Sequence, residues 1–267
     1  MTTHDEWIDV RHDRLTLKIT DALLVAKRNL IRYVRVPTLL VFSTVQPVMF
    51  VLLFRYVFGG AITPGGGVNY VDYLMPGVFG QVVVFGSTQT GVGLAQDLSY
   101  GMIDRFRSLP MARSAVLAGR TISDACRNVF VVSLMMMIGT LVGFRIHTGP
   151  IRALAAVALA VLFGHAFSWI SAFIGLTVRD VESTQAASFV WVFPLVFASS
   201  AFVPVASMPG WLQAWASVNP VSVTVDTMRG LLVAGPVLTP AIKSLAWIAG
   251  LLLVFVPASV RRYRGIS

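Results

Sequence analysis

Residues 94–127, LAQDLSYGMIDRFRSLPMARSAVLAGRTISDACR, decide how this chain folds. They carry Asp97, Asp104, Arg105, Arg107, Arg113, Arg120, Asp124 and Arg127. Before them the chain runs from 73 to 96 without a charge, and after them from 128 to 144. A helix crosses the hydrocarbon core of a bilayer with about 20 apolar residues. The two flanks therefore read as membrane spans, and the charged segment between them cannot rest in lipid. It must project into water or against another protein.

Working outward, further uncharged runs cover 36–54, 153–178, 183–225 and 244–260. Together they place six spans at about 37–57, 72–94, 122–144, 153–177, 184–204 and 239–260. The composition agrees: 56% of residues are hydrophobic and 12% charged, with a mean hydropathy of +0.76. A soluble domain carries about 25% charged residues, so this chain has too little polar surface for a soluble globule. The expected fold is an all-α integral membrane protein, one transmembrane domain over 1–267.

The net charge of +9 does not point to nucleic acid. All 21 lysines and arginines but Arg55, Arg145, Arg152, Arg229 and Lys243 fall on one side of the expected topology. That bias puts both termini in the cytoplasm. Lysine is scarce beside arginine, a bias of high-GC bacteria, so the expected location is a bacterial plasma (inner) membrane. The first residues, MTTHDEWIDVRHDRLTLK, lack the apolar core of a cleavable signal peptide. Residues 19–36 alternate Ile19, Leu23, Leu24, Leu30, Ile31 and Val34 with Lys27, Arg28, Arg32 and Arg35. This is the pattern of a basic amphipathic helix lying on the inner membrane surface, in contact with lipid. Pro37 marks the turn into the membrane.

The fifth apolar run is too long for one span. Pro204, Pro209, Pro220, Pro236 and Pro240 break its end into short pieces. Two helix-length stretches within 209–233 read as an outer re-entrant hairpin between spans five and six, tolerated at depth only when buried in protein. Trp211 and Trp215 suit the outer interface, and Asp226 and Arg229 stand at a spacing that can pair or remain solvated. Span two contains Gln81, Ser87 and Gln89, which either pack between helices or face a cavity. Met135, Met136 and Met137 of span three read as core.

Several chemistries are missing. Lys18, Lys27 and Lys243 are the only lysines and none follows a glycine, so there is no phosphate-binding GxxxxGK loop. The chain is expected to hold no cofactor and to catalyse nothing itself. His4, His12, His147 and His165 are too dispersed for a metal site, and the single Cys126 permits no internal disulfide. His165 in span four reads as a histidine bonded between helices, not as half of a protease dyad with Ser87. Every Asp and Glu is expected at a span end or in a loop, so no ion-coupling carboxylate stands out. Arg55 either snorkels or meets Asp72. If the chain drives uphill transport, the energy comes from elsewhere.

Four segments in order carry a resemblance: the amphipathic helix before span one, LMPGVFG in span two, GMIDRFRSLPMARSAVLAGR after it, and FVPVASMPGWLQAWASVNPVSVTVDTMRGLL after span five. The chain resembles the permease subunits of type-2 ABC exporters, the daunorubicin-resistance (multidrug and lipid) group. The resemblance implies an ATP-driven exporter of a hydrophobic or amphiphilic drug or lipid. Two copies of a separate ATPase subunit, which hold ATP and Mg, would supply the energy, and a second permease chain would complete a homo- or heterodimer. It implies a cytoplasmic coupling helix over 97–110. There Met102, Ile103 and Phe106 would form an apolar ridge, and Asp97, Asp104, Arg105 and Arg107 a charged rim against the ATPase. The outer hairpin, with Trp211, Trp215, Asp226 and Arg229, would cap the exit. The substrate path is expected along Gln81, Ser87, Gln89, Met136, Phe193 and Ser199. A permease for a polysaccharide or lipid-linked glycan shares the topology; a channel or a membrane scaffold are the other readings.

Overall fold

The computed structural model describes residues 20, 24–27, 29, 31, 37–60, 62, 67–101 and 113–265. Among them every regular element is helical. We label α1 Pro37–Leu53, extended by a π-helical turn Phe54–Phe58; α2 Tyr70–Ser99; α3 Arg113–Val142; α4 Pro150–Val178; and α5 Val181–Phe197. The short α6 Gly210–Val218 and α7 Pro220–Leu232 follow, then α8 Leu238–Arg264. Thr20, 24–27, 29 and 31 are helical; most of the expected amphipathic helix at 19–36 lies outside the described residues.

Local chemistry explains the boundaries. Asn69 caps α2 by accepting from the Val71 amide at 3.4 Å. Gly101, at φ +63°, ends it with a left-handed residue that a side chain would strain. Pro150 opens α4 at its first turn, where a missing N–H is harmless. Asp180 caps α5 and Asn219 caps α7, each side chain accepting an amide at 2.8 Å. Arg261, Arg262 and Arg264 lie in the last turn of α8, where cations meet the negative end of the helix.

Three described helices are long and apolar enough to cross a membrane: Leu117–Val142, Pro150–Val178 and Leu238–Arg264. The apolar parts of α1 and α5 are shorter. Although α2 has 30 residues, glycines, glutamines and hydroxyl residues dilute its hydropathy. The reason is its position. It is buried on nearly every side, packed on α4, α5, α3 and α7, so it need not be apolar towards lipid. The main core gathers around it: Leu74, Met75, Val78 and Phe79 with Met135 of α3, Phe163 and Phe167 of α4, Val196 of α5 and Val225 of α7.

Backbones approach closely where side chains vanish. A Cβ on Gly91 would stand 2.3 Å from the Ser171 carbonyl oxygen, and one on Gly175 would stand 2.2 Å from that of Gly91. The crossing of α2 and α4 is thus a glycine-to-glycine contact, the geometry by which membrane helices gain dispersion energy without a hydrophobic drive. At the other end of α2, a Cβ on Gly77 would stand 1.9 Å from the Ala201 oxygen.

Candidate functional site

Three polar assemblies sit on this frame. The first clasps α2 to α3. The antiparallel pair brings the end of one helix beside the start of the other. The Arg120 Nη1 donates to Asp97 Oδ2 at 2.8 Å. Thr90 donates through its hydroxyl to Asp124 Oδ2. Arg127 Nη2 donates to the Gly86 carbonyl oxygen at 2.6 Å and to Asn128 Oδ1 at 3.3 Å, and lies 3.9 Å from Asp124. The two arginines fit notches cut by glycine. A Cβ on Gly93 would fall 1.5 Å from Arg120 Nη2, and one on Gly86 would fall 2.8 Å from Arg127 Nη2. Gly86 and Gly93 are seven residues apart, as are Arg120 and Arg127. Seven residues is two helical turns, so the notches and the guanidinium groups fall in register along one seam.

This seam corrects the sequence reading. Asp97, Asp124 and Arg127 are buried and pair within the chain, where the charged segment is expected to project outward. Asp124 lies inside the apolar helix Leu117–Val142, not at a span end. A desolvated carboxylate is tolerable there because a guanidinium and a hydroxyl face it. Asp97–Ser99 form the last turn of α2. Met102, Ile103, Asp104, Arg105, Phe106 and Arg107 lie outside the described residues.

The second assembly is a pocket of about 110 Å³ between α1, α2, α3 and α5. Gln46, Gln81, Gln89, Arg127 and Asn128 supply its polar wall, and Phe85 and Phe189 its apolar wall. Gln81 and Asn128 are buried, and Gln81 Oε1 and Asn128 Nδ2 have no hydrogen-bond partner. Of the expected path residues, the structure brings Gln81 and Gln89 here, and Phe193 stands one ring behind Phe85 at 5.3 Å. The others lie elsewhere. Ser87 is spent on the Val84 carbonyl one turn back, Ser199 on that of Val196, and Met136 is half-buried against the core. The remaining methionines divide: Met135 is core and Met137 is exposed. His165 accepts from the Trp169 indole at 3.2 Å, one turn along the same helix, and also bonds the Thr121 backbone of α3 across the helix contact.

The third assembly closes the end where α2 begins and α5 stops. Arg229 Nη1 donates to Asp226 Oδ1 at 2.6 Å, Nη2 to the Ser200 oxygen at 2.9 Å and Nε to the Tyr73 oxygen at 3.1 Å. Its Cζ lies 3.6 Å from the Tyr73 ring centroid, within cation–π range. The hydroxyls of Tyr73 and Ser200 close the ring, donating to the Ser200 oxygen and to Asp226 Oδ1. Of the two alternatives open for Asp226 and Arg229, the pair is formed, and Arg229 pins α7 to α2 through the Tyr73 oxygen. Beside it, Asp72 accepts from the Arg145 amide at 2.8 Å and meets His147 Nε2 at 3.0 Å; Arg55 is not its partner. Trp211 and Trp215 are exposed on α6. Between α4 and α5, the Ser183 amide bonded to Asp180 holds that carboxyl below its ordinary pKa.

Sequence reasoning missed Thr90, Asn128, Tyr73 and Ser200. The matched seven-residue spacing of Gly86/Gly93 and Arg120/Arg127 was the available signal for the seam. Nothing local marks Tyr73 or Ser200, whose roles arise across more than 120 residues of chain.

The model of the ABC-2 type transporter family matches residues 20–233. The chain is 34% identical over 237 residues to the daunorubicin resistance ABC transporter permease protein DrrB1 of Streptomyces coeruleorubidus, covering 89% of this chain and 83% of that one. It is 27% identical, over 100% of this chain and 99% of the other, to a probable doxorubicin resistance ABC transporter permease protein DrrC of Mycobacterium tuberculosis. A putative transport permease of Cyanophora paradoxa is 25% identical over 80% of this chain and 74% of its own.

Proposed function

The chain belongs to the ABC-2 type transporter family, and on that premise we propose that it is the membrane subunit of an ATP-driven exporter moving a hydrophobic or amphiphilic drug or lipid outward. A separate ATPase subunit, in two copies, supplies the energy, and a second permease chain completes the pathway. The location is a bacterial plasma membrane with both termini cytoplasmic. Helices α1–α5 and α8 are the six spans.

The observation that carries this reading is the buried seam of α2 and α3. Two helices joined only by apolar packing could slide. Helices clasped by Asp97–Arg120, Thr90–Asp124 and Arg127–Gly86 resist relative motion, since breaking a buried charge pair costs about 3–5 kcal/mol. A push on segment 102–112 is therefore delivered to both spans together. ATP closes the ATPase dimer, the coupling segment follows, and the cavity between permease chains changes the side it faces. The bias comes from ATP binding the closed state more tightly.

The outer hairpin fits the cap of such a pathway. Trp247 donates its indole N–H to the Val218 oxygen at the tip between α6 and α7. Trp247 lies nine residues into α8, so the tip sits about 14 Å below the start of that helix. Asn219 bonds the Leu195 and Ala198 oxygens from the same tip. These bonds support a dip into the membrane and a return to the same face.

The test is purification in mild detergent from native membranes with mass spectrometry of bound proteins. A soluble subunit with a GxxxxGK[ST] loop, at equal stoichiometry and lost on Phe106→Asp, is the expected result. An intact permease oligomer that carries no ATPase would overturn the reading in favour of a channel or scaffold.

A further inference from the structure

A groove that the exporter reading does not use runs between the outer hairpin and α8. Ser217 and Val218 of α6, Val223 of α7, and Lys243, Ala246 and Trp247 of α8 line about 340 Å³ of it. Two hydrogen bonds fix its walls. The Trp247 indole N–H donates to the Val218 oxygen at 3.1 Å, and the Thr224 and Ser244 hydroxyls meet at 2.7 Å. Ser244 and Ile248 are buried against the bundle. Lys243 and Trp247, one turn apart, share the face beside them, and both are exposed. The groove is therefore held open by the protein's own bonds.

Its walls are apolar and its one charge is unbalanced. Around it, Trp211, Trp215 and Val218 of α6 and Ile242 and Leu245 of α8 are exposed, a rim that suits hydrocarbon and not water. Asp226 is the one acid within 210–264, and it is committed to Arg229 and Ser200. Among the described residues no carboxylate pairs with Lys243. An ammonium beside apolar walls is stabilised by an anion brought to it. Depth decides which anion. Lys243 lies about 8 Å below the start of α8, and Trp247 about 14 Å. The headgroup layer of a bilayer is about 5–8 Å deep. The Lys243 stem points back towards the helix start, so its ammonium reaches the phosphates. Trp247 and Val223 then lie among the first acyl carbons.

We infer that this groove is a binding site for one anionic phospholipid, its phosphate on Lys243 and an acyl chain laid over Val218, Val223, Ala246 and Trp247. The site rests on the proposed orientation for its leaflet, the outer one, and takes nothing from the cargo or the ATPase. The lipid is a resident of the surrounding bilayer and is not transported. Its chain extends the contact between the hairpin and α8, so the lipid braces the hairpin. A zwitterionic lipid offers the same chain but no net charge, so Lys243 sets the preference.

The test reads tryptophan quenching in the full-length chain, reconstituted in phosphatidylcholine vesicles doped with brominated phosphatidylglycerol or brominated phosphatidylcholine. Bromine on the upper acyl carbons quenches an indole that touches the chain. Trp211→Phe with Trp215→Phe is the parent background, so that Trp247 is the exposed outer indole that remains. Phosphatidylglycerol should reach half its quenching at about fivefold lower mole fraction than phosphatidylcholine. Lys243→Gln should bring that ratio to about one, and Lys243→Arg should keep it. Quenching by phosphatidylcholine should be unchanged in Lys243→Gln, which separates charge loss from misfolding. Ala246→Phe, which fills the groove from an exposed position, should reduce quenching by both lipids. Equal quenching by the two lipids in the parent would make the groove an ordinary lipid-facing surface and overturn the site. A preference that survives Lys243→Gln would overturn it too, since other cations would then be its source. A chain that purifies without an ATPase yet keeps the preference sinks the exporter reading alone. One that holds its ATPase and shows no preference sinks the lipid site alone.

Discussion

Gly93→Ala is a substitution for which helix propensity and this structure predict opposite signs. Alanine in place of glycine inside a helix ordinarily stabilises by about 0.5–1 kcal/mol. At Gly93 the new methyl would stand 1.5 Å from Arg120 Nη2 and 2.4 Å from its Cζ. The guanidinium must withdraw by about 2 Å to reach van der Waals separation. Its bond to Asp97, now 2.8 Å, cannot stretch that far. A hydrogen bond to a charged group contributes about 1.5–3 kcal/mol, and the Arg120 and Asp97 side chains are only 13% and 11% exposed. The net expectation is a loss of about 1–2 kcal/mol, or a fall in Tm of roughly 2–8 °C. Gly250 of α8 provides the control, because nothing lies within 4 Å of an added Cβ there; Gly250→Ala should be neutral or stabilising. Thermal unfolding of both variants in one detergent decides the matter. A second arm adds Asp97→Asn. Once Arg120 has been pushed away, removing its partner should cost little more, so the double variant should be less destabilised than the sum of the singles. Stabilisation by Gly93→Ala, or strict additivity with Asp97→Asn, would refute the clasp.

Arg229→Ala should destabilise by about 2–4 kcal/mol and open 198–233 to limited proteolysis. Arg229→Lys should not rescue it, because one ammonium cannot replace the forked bonds to Asp226, Ser200 and Tyr73. Gly175→Ala should cost about 1–3 kcal/mol by wedging α4 from the Gly91 backbone, which has no flexible atoms to yield; thermal unfolding reads this, and an unchanged Tm would argue against the close crossing. Asp180→Ala should lower Tm at pH 7 by removing the cap of α5. The folded carboxyl is held below its ordinary pKa by the Ser183 amide, so the cap contributes above the unfolded value and is lost as pH falls through the folded one. The Tm difference from wild type should therefore vanish in acid, and a difference that persisted there would point to another cause.

The helices were legible where lipid does the selecting. The uncharged runs at 153–178 and 244–260 become α4 and α8 with ends displaced by a few residues, because a helix facing lipid must be apolar all along. The proline breaks at 209 and 220 foretold α6 and α7 just as directly. Legibility failed where protein replaces lipid as the solvent. Inside the bundle a charge needs only a partner, and partners arrive from other helices. Asp124 and Arg127 therefore read as part of a charged stretch bound for water or another protein when they are the interior of a seam. Gln81 and Gln89 were recognisable as polar residues in a span, yet their convergence with Asn128 depends on the helix-to-helix register of α2 and α3. Phe193 was singled out alone, and its ring neighbours come from α2 and α5.

The seam also bears on how the protein is made. As α3 leaves the ribosome it carries Arg120, Asp124 and Arg127 within one apolar helix. A charge at a helix centre opposes partitioning by about 2.5–3.5 kcal/mol, less towards the end of the apolar stretch Leu117–Val142 where Arg120 lies. The partners for these charges, Asp97, Thr90 and the Gly86 carbonyl, have been synthesised just before, on α2. Entry of the two helices into the bilayer as a neutralised pair would avoid that cost.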